Sequence, residues 1–199
     1  MCGIIGYLGK NKAAPILIDG LKRLEYRGYD SAGIALIKEN EPFQVVKQTG
    51  RVLGLSKKID FNKMDATCGI SHTRWATHGG VTNENAHPHV SSDGKICIVH
   101  NGVIENHNQL RRFLEGNGYS FKSGTDTEAL ANLIAYNYSL ETGNAPERLQ
   151  SAVRKSVVEI EGTYGIAVIA SDLPGHMIGA RKGSPLILGI GQDEMMIGS

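Results

Sequence analysis

No stretch of this sequence approaches the ~18 uninterrupted apolar residues that a membrane-spanning helix needs. Nor does a charged segment followed by an apolar one open it in the manner of an export signal. Charge of one sign is also lacking. The 21 basic residues are nearly matched by 20 acidic ones, for a formal charge of +1, so there is no basic stripe of the kind that holds nucleic acid. Cysteine is scarce: Cys2, Cys68 and Cys97 are an odd number at irregular spacing, which argues against a disulfide framework and for a reducing cytoplasm. Cys68 and Cys97 sit within apolar runs and read as buried, inert thiols. A metal site has little support. None of His72, His78, His87 and His89 forms a helical i, i+4 ligand pair, and Cys2 is far from all of them in sequence. Gly189 and Gly191 precede no helix and no lysine, which excludes a nucleotide loop there.

What the sequence has in quantity is glycine, 25 residues, recurring at the ends of apolar runs as many short strands joined by tight turns would require. The length fits one soluble globular domain. Apolar spacing predicts a helix capped by Asn11 and running through Leu24, with Pro15 in its first turn, then strands over 31–38, 43–49, 67–74 and 95–99 with a short helix over 52–59. Further helices are predicted over 105–117 with Leu110, Phe113 and Leu114 inward, from an Asp126 cap through Tyr138, and over 146–160. Strands close the chain over 164–170, 176–180, 186–189 and from Met195 onward. Alternating βαβα order is missing, so the expected class is α+β, with mostly antiparallel sheets covered by helices. The last strand has barely begun at Ser199, which leads us to expect a fragment of a longer protein.

Chemistry concentrates at the N-terminus. Cys2 follows the initiator methionine, and once Met1 is removed it carries a thiol and a free α-amine on one residue. Their ordinary pKa values, about 8.5 and about 8, let the amine serve as the thiol's base. Four polar segments carry residues that a core does not need: 26–33, 72–79, 99–106 and 124–128. Each has a plain structural reading: Arg27 as a helix C-terminal cation, Asn101-Gly102 as a hairpin turn, Asp126 as a helix cap and the histidines as hydrogen-bonded residues. Together they also supply the parts of an amide hydrolase. Asn101 and the Gly102 N–H can receive an oxyanion, Arg74 can hold a free amino acid's carboxylate in a bidentate fork, and Asp126 can hold its ammonium. Trp75 can close the pocket against water.

Met1-Cys2-Gly3-Ile4-Ile5-Gly6, Arg27-Gly28-Tyr29-Asp30-Ser31-Ala32-Gly33, Arg74-Trp75-Ala76-Thr77-His78-Gly79, His100-Asn101-Gly102 and Thr125-Asp126-Thr127-Glu128 resemble, in order, the motifs of the class II, N-terminal-nucleophile glutamine amidotransferases. Tyr26-Arg27-Gly28-Tyr29-Asp30 and the Trp-Ala-Thr-His after Arg74 are similar to the glucosamine-6-phosphate synthase branch rather than to the nucleotide-synthesis branch. The resemblance covers essentially the whole chain. It implies a four-layer αββα sandwich of two antiparallel sheets, with Cys2 as nucleophile, Asn101 and Gly102 as oxyanion hole, and Arg27 orienting the terminal amine. It also implies Arg74, helped by backbone groups at Thr77 and His78, on the carboxylate of L-glutamine, Asp126 with Gly102 on its ammonium, and Trp75 gating ammonia. No cofactor and no metal are implied. The implied partner is a sugar-isomerase domain of the parent chain, absent from this sequence, through which the parent forms a homodimer. The domain is implied to run some tens of residues beyond Ser199, so the sequence is expected to be C-terminally truncated.

Overall fold

The computed structural model describes residues 2–75 and 80–199. Strand β1 (Gly3–Gly9) leads into helix α1 (Ala13–Leu24), and β2 (Ser31–Ile37), β3 (Gln44–Thr49), α2 (Val52–Lys58) and β4 (Cys68–Arg74) follow. A short β5 (His89–Val90) precedes β6 (Ile96–Ile104), and then come three consecutive helices, α3 (His107–Gly116), α4 (Asp126–Leu140) and α5 (Ala145–Glu159). Strands β7 (Gly162–Ala170), β8 (Ile178–Lys182), β9 (Ile187–Gly191) and β10 (Glu194–Gly198) close the chain. They form one six-stranded sheet, β3-β2-β4-β1-β10-β9, and one four-stranded sheet, β5-β6-β7-β8. Neighbouring strands pair antiparallel throughout both.

Three apolar clusters glue four layers together. Leu17, Ile18 and Leu21 of α1 pack with Val52 and Leu55 of α2 on Tyr7, Ile34 and Leu36 of the larger sheet. Helices α3, α4 and α5 pack on Ile96, Ile98, Ile166 and Val168 of the smaller one. Between the sheets lie Ile4, Ala35, Cys68, Ile70, Cys97, Val99, Ala167 and Ile169. The expected αββα sandwich is the observed one. Central strands are covered on both faces, which is why β2 and β4 are buried along their entire lengths and why β2 is a nearly continuous apolar run rather than alternating in polarity.

Strand alternation now sorts side chains by layer. On β4, Cys68 and Ile70 enter the intersheet core, so His72 and Arg74 continue that row. On β6, Cys97 and Val99 do the same and Asn101 continues it, whereas Ile96 and Ile98 face the helices. On β1, Ile4 points inward and Cys2 precedes it in register. Four polar side chains thus terminate apolar rows at one end of the gap between the sheets.

Several local expectations are corrected. Asn101-Gly102 is no hairpin turn. β6 runs through it to Ile104, paired with β7 along its whole length. Gly102 has φ +133°, and a Cβ there would collide with the Thr163 carbonyl, so the glycine serves a strained strand position. Asp126 lies inside the first turn of α4, which is capped instead by Thr125, whose hydroxyl accepts the Glu128 N–H. No side chain caps α1, since Lys12 occupies the capping position. Phe113 is 44% exposed, where periodicity pointed inward. β5, only two residues long, gave no periodic signal.

Candidate active site

Cys2 sits at the open end of the intersheet gap. Its Sγ accepts the Trp75 N–H (3.2 Å) and lies 3.6 Å from the Trp75 carbonyl, to which the thiol donates. The following residue is pinned as well, because Gly3 N–H donates to Thr73 Oγ1 at 3.2 Å. Burial raises the Cys2 pKa above the ordinary thiol range, and the Trp75 N–H offsets this only in part. The thiol is therefore not ionised by its surroundings and needs a base.

Two hollows meet at this sulfur. The larger, about 250 Å³, is bordered by Cys2, Arg27, Trp75, Asn101, Gly102 and the β8–β9 turn at Ser184-Pro185. The smaller, about 30 Å³, is a polar recess bordered by Cys2, Arg74, Trp75, Gly102, Asp126 and buried histidines. Cys2, Trp75 and Gly102 border both. In the recess, Arg74 and Asp126 are 4% and 6% exposed, so a cation and an anion are held at low dielectric facing one small space. Asp126 is fixed by the Ile104 N–H, which donates to Oδ2 at 2.8 Å. Arg74 Nη1 donates to the Gly80 carbonyl at 3.2 Å. Arg27 ends the short 3-10 turn Glu25–Arg27 and is half-buried. The Trp75 ring is 48% exposed and meets Tyr29 edge-on at 5.5 Å.

Asn101 is held at every polar atom. Nδ2 donates to the Cys2 carbonyl (3.0 Å) and to Ser199 Oγ (3.1 Å), and Oδ1 accepts from His72 Nε2 at 2.9 Å. Behind it, His72, His87, His89 and His100 are all buried. His72 stacks on His87 at 4.1 Å, and His87 meets His89 edge-on at 4.8 Å. Burial pushes the His72 pKa down to about 3, and those of His87 and His89 well below the ordinary value, with the neighbouring histidines adding to the effect at His87 and Lys47 and Arg74 at His89. His100 is lowered too, again by burial first. These are neutral scaffolding groups. Among the described residues no set of three His, Cys, Asp or Glu side chains converges on a point that would hold a metal.

The structure brings together Cys2, Arg27, Arg74, Trp75, Asn101, Gly102 and Asp126. Thr77 and His78 lie outside the described residues. The sequence reading gave no role to Ser199, whose Oγ also accepts the Ile4 N–H at 2.9 Å, nor to Val103, Ser184 and Pro185 on the cavity wall. It treated His72 as ordinary. The position of His72, two residues before Arg74 on one strand, puts both on the same face and was the available signal.

Residues 72–199 match the family model described as a glutamine amidotransferase domain. The chain belongs to that family. The chain is 50% identical over 199 residues to glutamine–fructose-6-phosphate aminotransferase [isomerizing] of Bacteroides thetaiotaomicron, covering 100% of this chain and 32% of that protein. It is 48% identical to the enzyme of the same name from Methanococcus maripaludis, again over 100% of this chain and 33% of the relative. The chain therefore spans about a third of the length of these curated relatives. Among solved structures, the glutamine phosphoribosylpyrophosphate amidotransferase of B. subtilis superimposes with a TM-score of 0.80 at 28% identity, over 99% of this chain and 41% of that one. A glutamine aminotransferase class-II domain protein from Silicibacter pomeroyi, at 14% identity and a TM-score of 0.63 over 99% of this chain and 88% of that one, shares the fold.

Proposed function

We propose that this chain, residues 1–199 acting as one glutaminase domain, hydrolyses L-glutamine to L-glutamate and ammonia through a γ-glutamyl thioester on Cys2. The observation that carries the reading is the convergence at Cys2, Trp75 and Gly102 of a substrate-sized cavity and a recess holding one buried cation and one buried anion. Glutamine's α-carboxylate pairs with Arg74, assisted by backbone at Thr77 and His78, and its ammonium pairs with Asp126. That directs its side-chain amide at the thiol, and positioning of this kind removes much of the entropic barrier.

Removal of Met1 frees the Cys2 α-amine, which Arg27 orients and which takes the thiol proton directly or through a water. Sulfur bonds to the amide carbon, and the carbonyl electron pair moves onto oxygen. The Asn101 amide and the Gly102 N–H receive this oxyanion. Because both Asn101 N–H groups already have acceptors, one of them is exchanged for the oxyanion. The ammonium returns its proton to the leaving nitrogen as the C–N bond breaks, and Trp75 governs where ammonia leaves. Water, deprotonated by the same amine, then cleaves the thioester and regenerates the thiol. No cofactor enters.

In a protein of its relatives' length, working in the cytoplasm, the ammonia passes to a sugar-isomerase domain that converts fructose 6-phosphate to glucosamine 6-phosphate, and that partner domain supplies the homodimer contact. The 50% identity to an aminotransferase of that name, against 28% to the phosphoribosylpyrophosphate enzyme, favours this branch over nucleotide synthesis. The test is glutamate release by the purified chain whose mass shows Met1 removed. Cys2→Ala should abolish it, and unchanged release would end the catalytic reading.

A further inference from the structure

An asparagine carboxamide is nearly symmetric in shape, yet only its NH₂ end can stabilise an oxyanion. Something must decide which end faces the thiol. Two groups that can only accept settle it here. The Cys2 carbonyl, 3.0 Å from Asn101, requires a donor. The His100 carbonyl, 3.1 Å from His72 Nε2, requires the proton of the neutral imidazole to sit on that nitrogen. His72 Nε2 can then only donate to Asn101, 2.9 Å away, so the atom it meets must be oxygen.

We infer that His72 is the positioning residue of the oxyanion site, its Nε2–H holding the Asn101 carboxamide with the NH₂ end toward Cys2. This rests on the glutamine-hydrolysis reading above. The ring is itself immobilised by the His87 stack. His87 in turn is fixed by the His100 N–H, which donates to Nδ1 at 3.3 Å, and by Thr127 Oγ1, 3.4 Å from Nε2. His72 Nδ1 is buried without a hydrogen-bond partner. Burial lowers the His72 pKa to about 3, which favours the neutral ring that this arrangement needs.

The experiment compares His72→Leu, His72→Gln and Asn101→Ala by glutamate release, in single and paired form. His72→Leu should lower kcat roughly 100-fold, the scale of losing one oxyanion donor, with KM for glutamine changed by less than about threefold because the Arg74 and Asp126 contacts remain. Glutamine's side-chain N–H stands where Nε2 stood, so His72→Gln should return kcat to within about tenfold of the parent. In an Asn101→Ala background His72→Leu should cost nothing further, since it acts through the missing amide. Additive losses in that pair, a His72→Leu enzyme as fast as the parent, or a loss carried by KM would each overturn the inference. Should His72→Leu not fold, His72→Gln as impaired as Asn101→Ala overturns it equally. A parent chain that releases no glutamate sinks both readings, while a parent that turns over normally beside an unaffected His72→Leu sinks this one alone.

Discussion

Asp126 does two jobs with one carboxylate: Oδ2 accepts the Ile104 N–H, and the charge faces the recess beside Arg74. Asp126→Asn keeps an acceptor for Ile104 and removes only the charge. Charged hydrogen bonds of this kind contribute about 1.5–3 kcal/mol, so KM for glutamine should rise about tenfold to a hundredfold with the melting temperature little changed. Initial-rate kinetics check this. Gly102 is constrained by shape instead. With φ +133° and the Thr163 carbonyl in the way of a Cβ, Gly102→Ala should abolish glutamate release and lower the denaturation midpoint together. Most of this site was legible in the sequence, because Cys2, Arg74, Asn101 and Asp126 carry chemistry that a core does not require. Ser199 and the Ser184-Pro185 wall were not, since only the folding of β8, β9 and β10 against β1 and β7 brings them there.

Helix α4 illustrates how an element serves a site. It is buried on nearly every side, so its polar residues must be satisfied internally: Asn132 accepts the Ser92 N–H and donates to the Ser120 carbonyl, and Glu128 accepts from Lys122 N, Ser123 N and Ser123 Oγ. The Thr125 cap sets the start of the helix and therefore the location of Asp126. Asn144 caps α5 in the same manner, accepting the Glu147 N–H at 3.0 Å, but away from the site. Losing either cap costs about 1 kcal/mol. Thr125→Ala should lower stability by that amount and also raise KM for glutamine, whereas Asn144→Ala should lower stability alone; urea denaturation beside kinetics separates them. Helix and strand positions followed from apolar spacing because period 3.6 and period 2 are local signals. The true cap of α4 escaped notice because Thr125 and Asp126 are both good capping residues and only geometry chooses between them. The plain reading of Asn101-Gly102 as a turn fails for a related reason. A turn-forming dipeptide can be overridden when β7 supplies pairing partners on both sides of it.

At the scale of the whole molecule, the two sheets bury apolar rows at one end of their interface and polar rows at the other, so the fold's stability and its site share four neutral histidines. Their folded pKa values lie below the ordinary 6.5, that of His72 near 3. Between the folded and unfolded values the unfolded chain binds more protons, so stability is fully present above about pH 6.5 and is lost as pH falls through the folded values. Each fully depressed histidine adds a slope of about 1.4 kcal/mol per pH unit. Melting temperature should therefore drop steeply from pH 6.5 to 5, and replacing His87 by Gln should flatten the curve; a pH-independent melting temperature over that range would contradict this. The α+β class with antiparallel sheets could be foreseen from element order and the αββα layering from the motif resemblance, but not the pairing of β1 with β4 and β10, which joins segments from both ends of the sequence. The most direct test of the central claim is the intact mass of the chain quenched during glutamine turnover. A γ-glutamyl adduct confined to the N-terminal peptide, on a chain lacking Met1, is the predicted result. Sustained glutamate release with no adduct on Cys2 would contradict it.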